Sequence, residues 1–217
     1  MQRYLVSEGY NVGKKRVRRL MRSMGIMAIY AKPKTTVPTK NHKHYPYLLK
    51  DCIITRKNQV WSIDITYIRM KNGYMYMVGI IDWYTRKLLS WKLSNTMDVD
   101  FCISALEYAI KKYGKPEIFN SDQGSQFTCN TFLDILKRNG IKISMDGRGR
   151  WRDNVIIERF WRSLKYENVY IHDYEAGNEA REGIGAWINF YNNYRPHSSL
   201  NGATPEECYQ RGLSHAA

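Results

Sequence analysis

The sequence predicts an α/β fold in which helices flank a mixed five-stranded sheet, preceded by a basic helical N-terminal arm. Three strand-like stretches follow one another first, and helix-like and strand-like stretches alternate after them. Three antiparallel strands continued by such an alternation give a mixed sheet that is covered by helices. A chain of 217 residues is long enough for one sizeable core with a small appended element.

The N-terminal arm carries most of the positive charge. The net charge of the chain is +14, and its first 50 residues hold 12 Lys and Arg side chains against one acid, Glu8. Four apolar residues at helical spacing before Gly25 predict a basic amphipathic helix: Val17, Leu20, Met21 and Met24. Clustered cations favour nucleic acid as the partner, with Lys14, Lys15, Arg16, Arg18 and Arg19 as candidate contacts. The alternatives are a helix with its cations in solvent and an anionic membrane surface.

Residues 31–52 are rich in Lys, Pro, Thr, His and Tyr and show no periodicity, so we interpret them as a linker.

The four cysteines are scattered and no secretory signal precedes them, which predicts free thiols in the cytoplasm. His42 and His44 have no cysteine pair to complete a zinc site. No apolar run approaches the roughly 20 residues that a membrane span needs, so we expect no membrane partner.

Three antiparallel strands are predicted first, at 60–67, at 74–83 after Asn72-Gly73, and at 87–93. Asp64 lies within the first strand, on the face of Ser62 and Thr66. Asp is depleted in strands, so Asp64 is either a polar residue on a solvated face or a metal ligand. Asp82, at the second turn, is a rival carboxylate that a turn or cap role explains without chemistry.

Helices and strands alternate in the second half. Helix patterns run over 98–113 and 124–139, and a short strand is predicted at 141–145. Between the two helices, Asp122 follows an apolar run and precedes Gly124, which predicts a carboxylate at the C-terminal end of a strand, where loops build sites.

Glu158 belongs to a predicted amphipathic helix over 153–167, whose apolar stripe consists of Ile157, Phe160, Trp161 and Leu164. Asn154, Glu158 and Lys165 lie together at the border of this stripe. We therefore expect Glu158 at the edge of the core rather than out in solvent.

The loop before this helix contains Arg148, Arg150 and Arg152 together with Gly147 and Gly149, and it suits close approach to a phosphate backbone. An ordinary flexible connection is the alternative. A last helix is predicted over 179–194. Gly183 and Gly185 weaken it by about 1 kcal/mol each relative to Ala, so docking must hold it.

Three motifs, in order, resemble the DDE integrase core: 62–67 (SIDITY), 120–127 (NSDQGSQF), and 150–154 (RWRDN) running into 158–165 (ERFWRSLK). A segment at 191–200 (YNNYRPHSSL) is similar to the signature that ends that core. The match is closest to bacterial insertion-sequence transposases of the family typified by insertion sequence three, and it covers nearly the whole chain. The resemblance implies a ribonuclease-H-like fold with the catalytic core at 53–204, a C-terminal tail at 205–217, and a DNA-binding element at 1–30. That element is either a truncated helix-turn-helix or one that a partner chain completes.

The resemblance also implies the chemistry. Asp64, Asp122 and Glu158 would hold two Mg²⁺ ions, with Mn²⁺ as a substitute, for hydrolysis at transposon ends and attack of the 3′-hydroxyl on target DNA. Lys165 and Arg162 would contact DNA near the metals. The implied partners are double-stranded DNA in the nucleoid, further copies of this chain, and a helix-turn-helix protein from an upstream reading frame. A nuclease that only hydrolyses, and a DNA-binding remnant without activity, are the alternatives.

Overall fold

The computed structural model describes residues 1–26, 45–147 and 154–211. Its contacts divide the chain into two units, Met1–Thr39 and Lys40–Ala217. The described part of the first unit contains helices α1 (Gln2–Ser7) and α2 (Lys14–Ser23). The predicted basic amphipathic helix is confirmed as α2, in which Val17 is buried. The sequence pattern does not predict α1, because six residues are too few for helical periodicity to show.

The second unit is built on the predicted mixed sheet of five strands, which have the order β3-β2-β1-β4-β5. The strands are β1 (Val60–Met70), β2 (Gly73–Asp82), β3 (Leu88–Ser94), β4 (Ile118–Ser121) and β5 (Lys142–Met145). The first three strands pair antiparallel, β4 pairs parallel with β1, and β5 pairs parallel with β4. The fold class is therefore confirmed.

The helices of the second unit flank this sheet. They are α3 (Asp100–Tyr113), α4 (Ser125–Thr128), α5 (Asn130–Arg138), α6 (Val155–Leu164), α7 (Tyr170–His172), α8 (Gly177–Asn193) and α9 (Pro205–Arg211). A π-helical segment, Lys165–Val169, joins α6 to α7, and a 3₁₀ turn, Ser198–Leu200, precedes α9. Within the described ranges no helix is long and apolar enough to cross a membrane.

The prediction of one helix over 124–139 is wrong. Cys129 has extended backbone angles, with φ −70° and ψ 147°, and it separates α4 from α5. The backbone N–H of Leu133 donates to the carbonyl of Cys129, so the second helix starts anew there. The apolar periodicity continues across the break, which is why the sequence does not reveal it.

Buried apolar side chains cover both faces of the sheet. Trp61 and Ile63 belong to a core formed with residues of α3 and α5. Val60 and Ile68 belong to a second core formed with residues of α6 and α8. Because side chains alternate along a strand, Asp64 shares the face of Val60 and Ile68. That face is covered by helices, so the interpretation of Asp64 as a polar residue on a solvated face is wrong.

Packing holds α8 in place, as the two glycines in its sequence predict. A Cβ on Gly183 would lie 2.1 Å from the Tyr174 hydroxyl oxygen, and one on Gly185 would lie 3.4 Å from the Trp91 ring. The glycine at 183 therefore permits a close approach of α8 to the segment before it, and this approach offsets the low helix propensity.

Residues 205–211, which follow the predicted core, pack against the α3 side of the sheet. They form α9, and Tyr209 on this helix is only 7% exposed within the core on the α3 side. The Tyr209 hydroxyl donates to Asn58 Oδ1 at 3.1 Å, and its ring meets Tyr113 edge-on. Lys87 Nζ lies over the Tyr209 ring and forms a salt bridge with Glu206 at 2.5 Å. The sequence pattern does not predict α9, because seven residues are too few for helical periodicity to show.

Candidate active site

Asp64 and Asp122 lie on neighbouring parallel strands. The register pairs Trp61 with Phe119 and Ser62 with Asn120. Two residues further along, Asp64 in β1 is level with Asp122, which directly follows β4. In a parallel pair, positions in register share one face of the sheet. The fold thus brings these two predicted site residues together where β4 ends.

Trp161 ties Asp64 to α6. The indole Nε1 of Trp161 donates a hydrogen bond to Asp64 Oδ2 at 2.9 Å. Trp161 is buried and lies one helical turn beyond Glu158. The sequence places Trp161 in the apolar stripe but does not identify this bond. A buried Trp N–H usually has an acceptor, but the sequence pattern does not show which residue provides it.

Gly79 makes room for that indole. It is the cross-strand partner of Asp64 in β2. A Cβ at Gly79 would lie 2.7 Å from Cη2 of Trp161, closer than such contacts allow. The missing side chain therefore lets the indole lie over the sheet beside Asp64. An isolated glycine in a strand is the signal that could have revealed this close approach.

Burial makes Asp64 hard to ionise. Its pKa is raised from 3.8 to about 7, chiefly because the carboxylate is desolvated. The bond from Trp161 lowers the pKa, while the charges of Asp122 and Glu158 raise it. Both other acids therefore lie within electrostatic reach of Asp64. A desolvated carboxylate with two acidic neighbours is a site that a cation would stabilise.

Asp122 is held by its own loop. Its Oδ1 accepts a hydrogen bond from the backbone N–H of Gly124 at 2.8 Å. A Cβ on Gly124 would lie 2.9 Å from the same oxygen, so the glycine permits this close turn. Burial raises the pKa of Asp122, and the Gly124 bond lowers it.

Asp146 is a further acid beside the site that the sequence analysis does not consider. It follows β5 as Asp122 follows β4, because the register pairs Ser121 with Met145. Asn120 Nδ2 donates to Asp146 Oδ1, and Gln123 Nε2 donates to its backbone carbonyl, both at 2.8 Å. Asp146 thus orients residues on either side of Asp122. Its position directly after a strand is the signal that could have found it.

Glu158 is exposed, and the expectation that it lies at the edge of the core is wrong. The buried face of α6 is made by Ile157, Phe160, Trp161 and Leu164, and Glu158 lies beyond it. Its charge nevertheless acts on Asp64, so it faces the same region of the sheet.

Hard divalent cations fit this donor set. None of the three acids forms a salt bridge within the described part of the chain. Among residues 1–26, 45–147 and 154–211, no group of three or more His, Cys, Asp or Glu side chains is placed to hold one metal ion together. Mg²⁺ does not need such a group, because it is usually held by one or two carboxylates with water and substrate phosphates. The acids therefore suit ions bound through pairs of carboxylates.

Lys165 is a cation that interacts with this site. Burial lowers its pKa, and the charge of Asp64 raises it, so the amine lies within electrostatic reach of that acid. Lys165 begins the π-helical segment after α6, a geometry that is frequent at functional sites. Arg162 is exposed one turn beyond Glu158. Both cations thus extend the face of α6 that carries the acid.

The other predicted DNA contacts fall into two groups. Arg148, Arg150 and Arg152 lie outside the described residues. The remaining candidates are exposed on α2 in the first unit: Lys14, Lys15, Arg16, Arg18 and Arg19.

Asp82, the rival carboxylate, has the predicted turn role. It is fully buried, and its Oδ1 accepts from the backbone N–H and the hydroxyl of Thr85, both at 2.8 Å. Its Oδ2 accepts from the backbone N–H of Asn58 at 2.7 Å. Asp82 therefore fixes a turn.

Comparisons with known proteins agree with this architecture. Two models described as integrase core domain match residues 54–150 and 139–205, and a model described as HTH-like domain matches residues 1–34. The 31 kDa protein of insertion element IS600 from Shigella sonnei is 31% identical over 211 residues, covering 94% of this chain and 78% of that protein. The chain belongs to the integrase-core transposases of bacterial insertion sequences. Transposase InsF of IS3A from Escherichia coli K12 is 28% identical over 216 residues, covering 97% of this chain and 75% of InsF.

A solved structure shares the fold of this transposase. The HTLV-2 integrase catalytic core domain, solved in complex with magnesium in a dimeric form, superposes with a TM-score of 0.59 at 20% identity. The match covers 70% of this chain and 97% of that domain. The retroviral-integrase-like, ribonuclease-H-like core that the resemblance implies is therefore the fold of the second unit.

Proposed function

We propose that this transposase hydrolyses the phosphodiester at transposon ends and then joins the exposed 3′-hydroxyls to target DNA. Asp64, Asp122 and Glu158 are the proposed ligands of two Mg²⁺ ions. The observation that supports the proposal is the strand register that, continued by two residues, makes Asp64 level with Asp122. The hydrogen bond from Trp161 to Asp64 adds to it, because Trp161 lies on the helix of Glu158. Mn²⁺ would substitute, because it also prefers oxygen ligands.

The first step breaks one phosphodiester bond by hydrolysis, and the second exchanges one phosphodiester bond for another. In the first step, a water oxygen bonds to phosphorus and the bond to the 3′-oxygen breaks. In the second step, this 3′-oxygen attacks a target phosphodiester and displaces another 3′-oxygen, so no ATP is consumed. When bound, the ions would supply Lewis acidity to the attacking and leaving oxygens. A side-chain general base is then not required.

The protein contributes orientation. Trp161 Nε1 fixes one oxygen of Asp64, and the Gly124 N–H fixes one oxygen of Asp122. Hydrogen bonds of this kind set the direction in which a carboxylate presents its remaining lone pairs. Lys165 would bind the terminal phosphates beside the acids, and its electrostatic interaction with Asp64 supports this role.

Further contacts with double-stranded DNA are assigned to Arg162 beside the acids, and to Arg148, Arg150 and Arg152 in the preceding loop. Residues 1–30, with Lys14, Lys15, Arg16, Arg18 and Arg19, are the proposed DNA-binding element, and 31–52 the linker. The proposed catalytic core spans 53–204, and the C-terminal tail follows at 205–217. Several copies would assemble on the DNA in the nucleoid, alongside an upstream-frame helix-turn-helix protein.

The deciding assay offers intact transposon ends, for cleavage, and pre-cut ends with a plasmid, for joining, to the wild type and to Asp122→Asn in Mg²⁺. We expect joined products from the wild type only. Hydrolysis without joined products would assign the chain to nucleases instead. Cleavage that survives in Asp122→Asn would remove the acids from the mechanism. Binding of end DNA with neither cutting nor joining would identify a remnant.

A further inference from the structure

A second basic site lies beside α6, in a pocket of about 130 Å³. This volume has room for a group larger than one water molecule. Its polar lining comes from the turn before β3, from α6, and from the segment after α8: Arg86, Arg159, Ser163, Arg195, His197 and Ser199. We call it the arginine pocket.

Two polar atoms of this pocket's residues lack a partner. Arg86 Nη1 and His197 Nε2 are buried and make no hydrogen bond with the described part of the chain. Buried polar atoms are nearly always paired in folded proteins, because an unmade hydrogen bond is costly. A missing acceptor for the guanidinium therefore points to a ligand.

Positive charge accumulates at the arginine pocket. Burial lowers the pKa of Arg86, and the charge of Arg159 lowers it further. Burial also lowers the pKa of His197, and Arg195 and Arg86 add to that effect. Glu167 pairs with Arg195 at 2.5 Å, and the charge of Asp82 acts on Arg86. Two acids thus compensate three guanidinium groups only in part, which favours an anion.

The backbone at Arg86 is held in an unusual conformation. Its φ is +62°, a region that residues other than Gly, Asn and Asp rarely adopt. The backbone N–H of Arg86 donates to the carbonyl of Asp82 at 2.9 Å, and the Tyr191 hydroxyl donates to the carbonyl of Arg86 at 3.2 Å. Strain held by such contacts is frequent at ligand-binding positions.

We propose that the arginine pocket binds a phosphate group of the DNA backbone. Guanidinium groups form paired hydrogen bonds with phosphate oxygens, and the two serine hydroxyls add further donors. Arg159 directly follows Glu158 on α6, and consecutive helical positions are about 100° apart, so the pocket adjoins the acid-bearing face. A DNA strand bound at the acids can therefore extend to the pocket. This inference rests on the proposed function, because it takes DNA as the ligand.

The experiment measures binding of the full chain to a labelled DNA duplex in EDTA, across a range of salt concentrations. Log K falls as log salt rises, and each lost phosphate contact decreases the magnitude of this negative slope by about 1. We expect this decrease for Arg159→Gln and for Arg86→Asn, since Asn tolerates a positive φ. Arg181→Gln, which removes an exposed cation from α8, should keep the wild-type slope. Arg159 is also exposed, so its variant remains informative if Arg86→Asn does not fold.

Each result decides the matter. Decreased slopes in both pocket variants, or in Arg159→Gln if Arg86→Asn does not fold, support the proposal. A decrease in Arg159→Gln beside a wild-type slope in folded Arg86→Asn would place Arg159 on open surface and overturn it. Wild-type slopes in both would also overturn it. In that case, inorganic phosphate that shifts the NMR signals of the His197 ring would identify a pocket for free anions. Because EDTA prevents metal-dependent chemistry, failure of DNA cutting would leave this result unaffected.

Discussion

The indole of Trp161 donates a hydrogen bond to the carboxylate of Asp64 at 2.9 Å. Trp161 belongs to the same helix as Glu158, and Asp64 belongs to the central strand of the sheet. The bond therefore couples the orientation of one proposed metal ligand to the helix that carries another. Gly79, opposite Asp64, leaves the space that the indole occupies.

Trp161→Phe should weaken metal-dependent activity. Phe keeps an aromatic ring in the core but cannot donate to Asp64. Loss of a hydrogen bond that orients a metal ligand typically costs 10–100-fold in metal affinity or activity, so we expect a decrease of about that size. The measurement is strand joining as a function of Mg²⁺ concentration. Trp187→Phe, in the same hydrophobic cluster but on α8, is the control and should leave the Mg²⁺ requirement unchanged.

Gly79→Ala should disturb the same bond from the other side. Its Cβ would lie 2.7 Å from the indole, and overpacking of this kind costs about 1–3 kcal/mol. We expect a lower free energy of unfolding and a higher Mg²⁺ requirement. In a Trp161→Leu background the added methyl meets no indole, so Gly79→Ala should cost much less there. Equal costs in both backgrounds would show that the two residues do not interact.

Asp64→Asn should change how stability depends on pH. In the metal-free wild type the folded state retains a proton on Asp64 between its ordinary pKa of 3.8 and about 7, where the unfolded state has lost it. Stability therefore falls as pH rises through that window. Asn carries no such charge, so the variant should gain stability relative to the wild type up to about pH 7. Thermal unfolding in EDTA measures this difference.

Asp98, whose pKa is shifted in the opposite direction from that of Asp64, provides the control. The hydroxyl of Thr96 bonds to Asp98 and lowers its pKa, so Asp98 stabilises the folded state above the ordinary pKa. Asp98→Asn should thus be less stable than the wild type at neutral pH, and the difference should shrink as pH falls. If Asp64→Asn shows the same trend as Asp98→Asn, the desolvation of Asp64 is contradicted.

Two glycines in α8 should respond differently to alanine. Helix propensity alone favours Ala over Gly by about 1 kcal/mol at both positions. At Gly183 the new Cβ would lie 2.1 Å from the Tyr174 hydroxyl oxygen, so Gly183→Ala should destabilise the protein. At Gly185 the nearest atom is 3.4 Å away, so Gly185→Ala should stabilise it. Urea unfolding of both variants checks this contrast.

The sequence predicts the sheet, the position of Asp64 within β1 and that of Asp122 after β4, because these depend on local signals. The alternation of apolar and polar residues along β1 and the carboxylate just after β4 are visible in the sequence, and the structure has both. The register that makes Asp64 level with Asp122 comes from strand pairing, which no single segment encodes.

The sequence is less informative where the packing of distant elements determines the exposure of a residue or the limits of a helix. Glu158 is placed at the core edge by its helical wheel, yet the sheet covers only the apolar stripe and leaves it exposed. The break at Cys129 and the docking of α9 through Tyr209 depend on contacts with distant elements. The arginine pocket joins residues 86, 159 and 195 across three elements, so its composition cannot be read from spacing.

The central claim is that Asp64, Asp122 and Glu158 together hold divalent cations. Anomalous diffraction from a Mn²⁺-soaked crystal of the full chain tests it most directly. The account predicts two manganese peaks between these carboxylates, with Glu158 turned toward the strand acids. Manganese at other residues only, or none near Asp64 and Asp122 at saturating concentration, would contradict it.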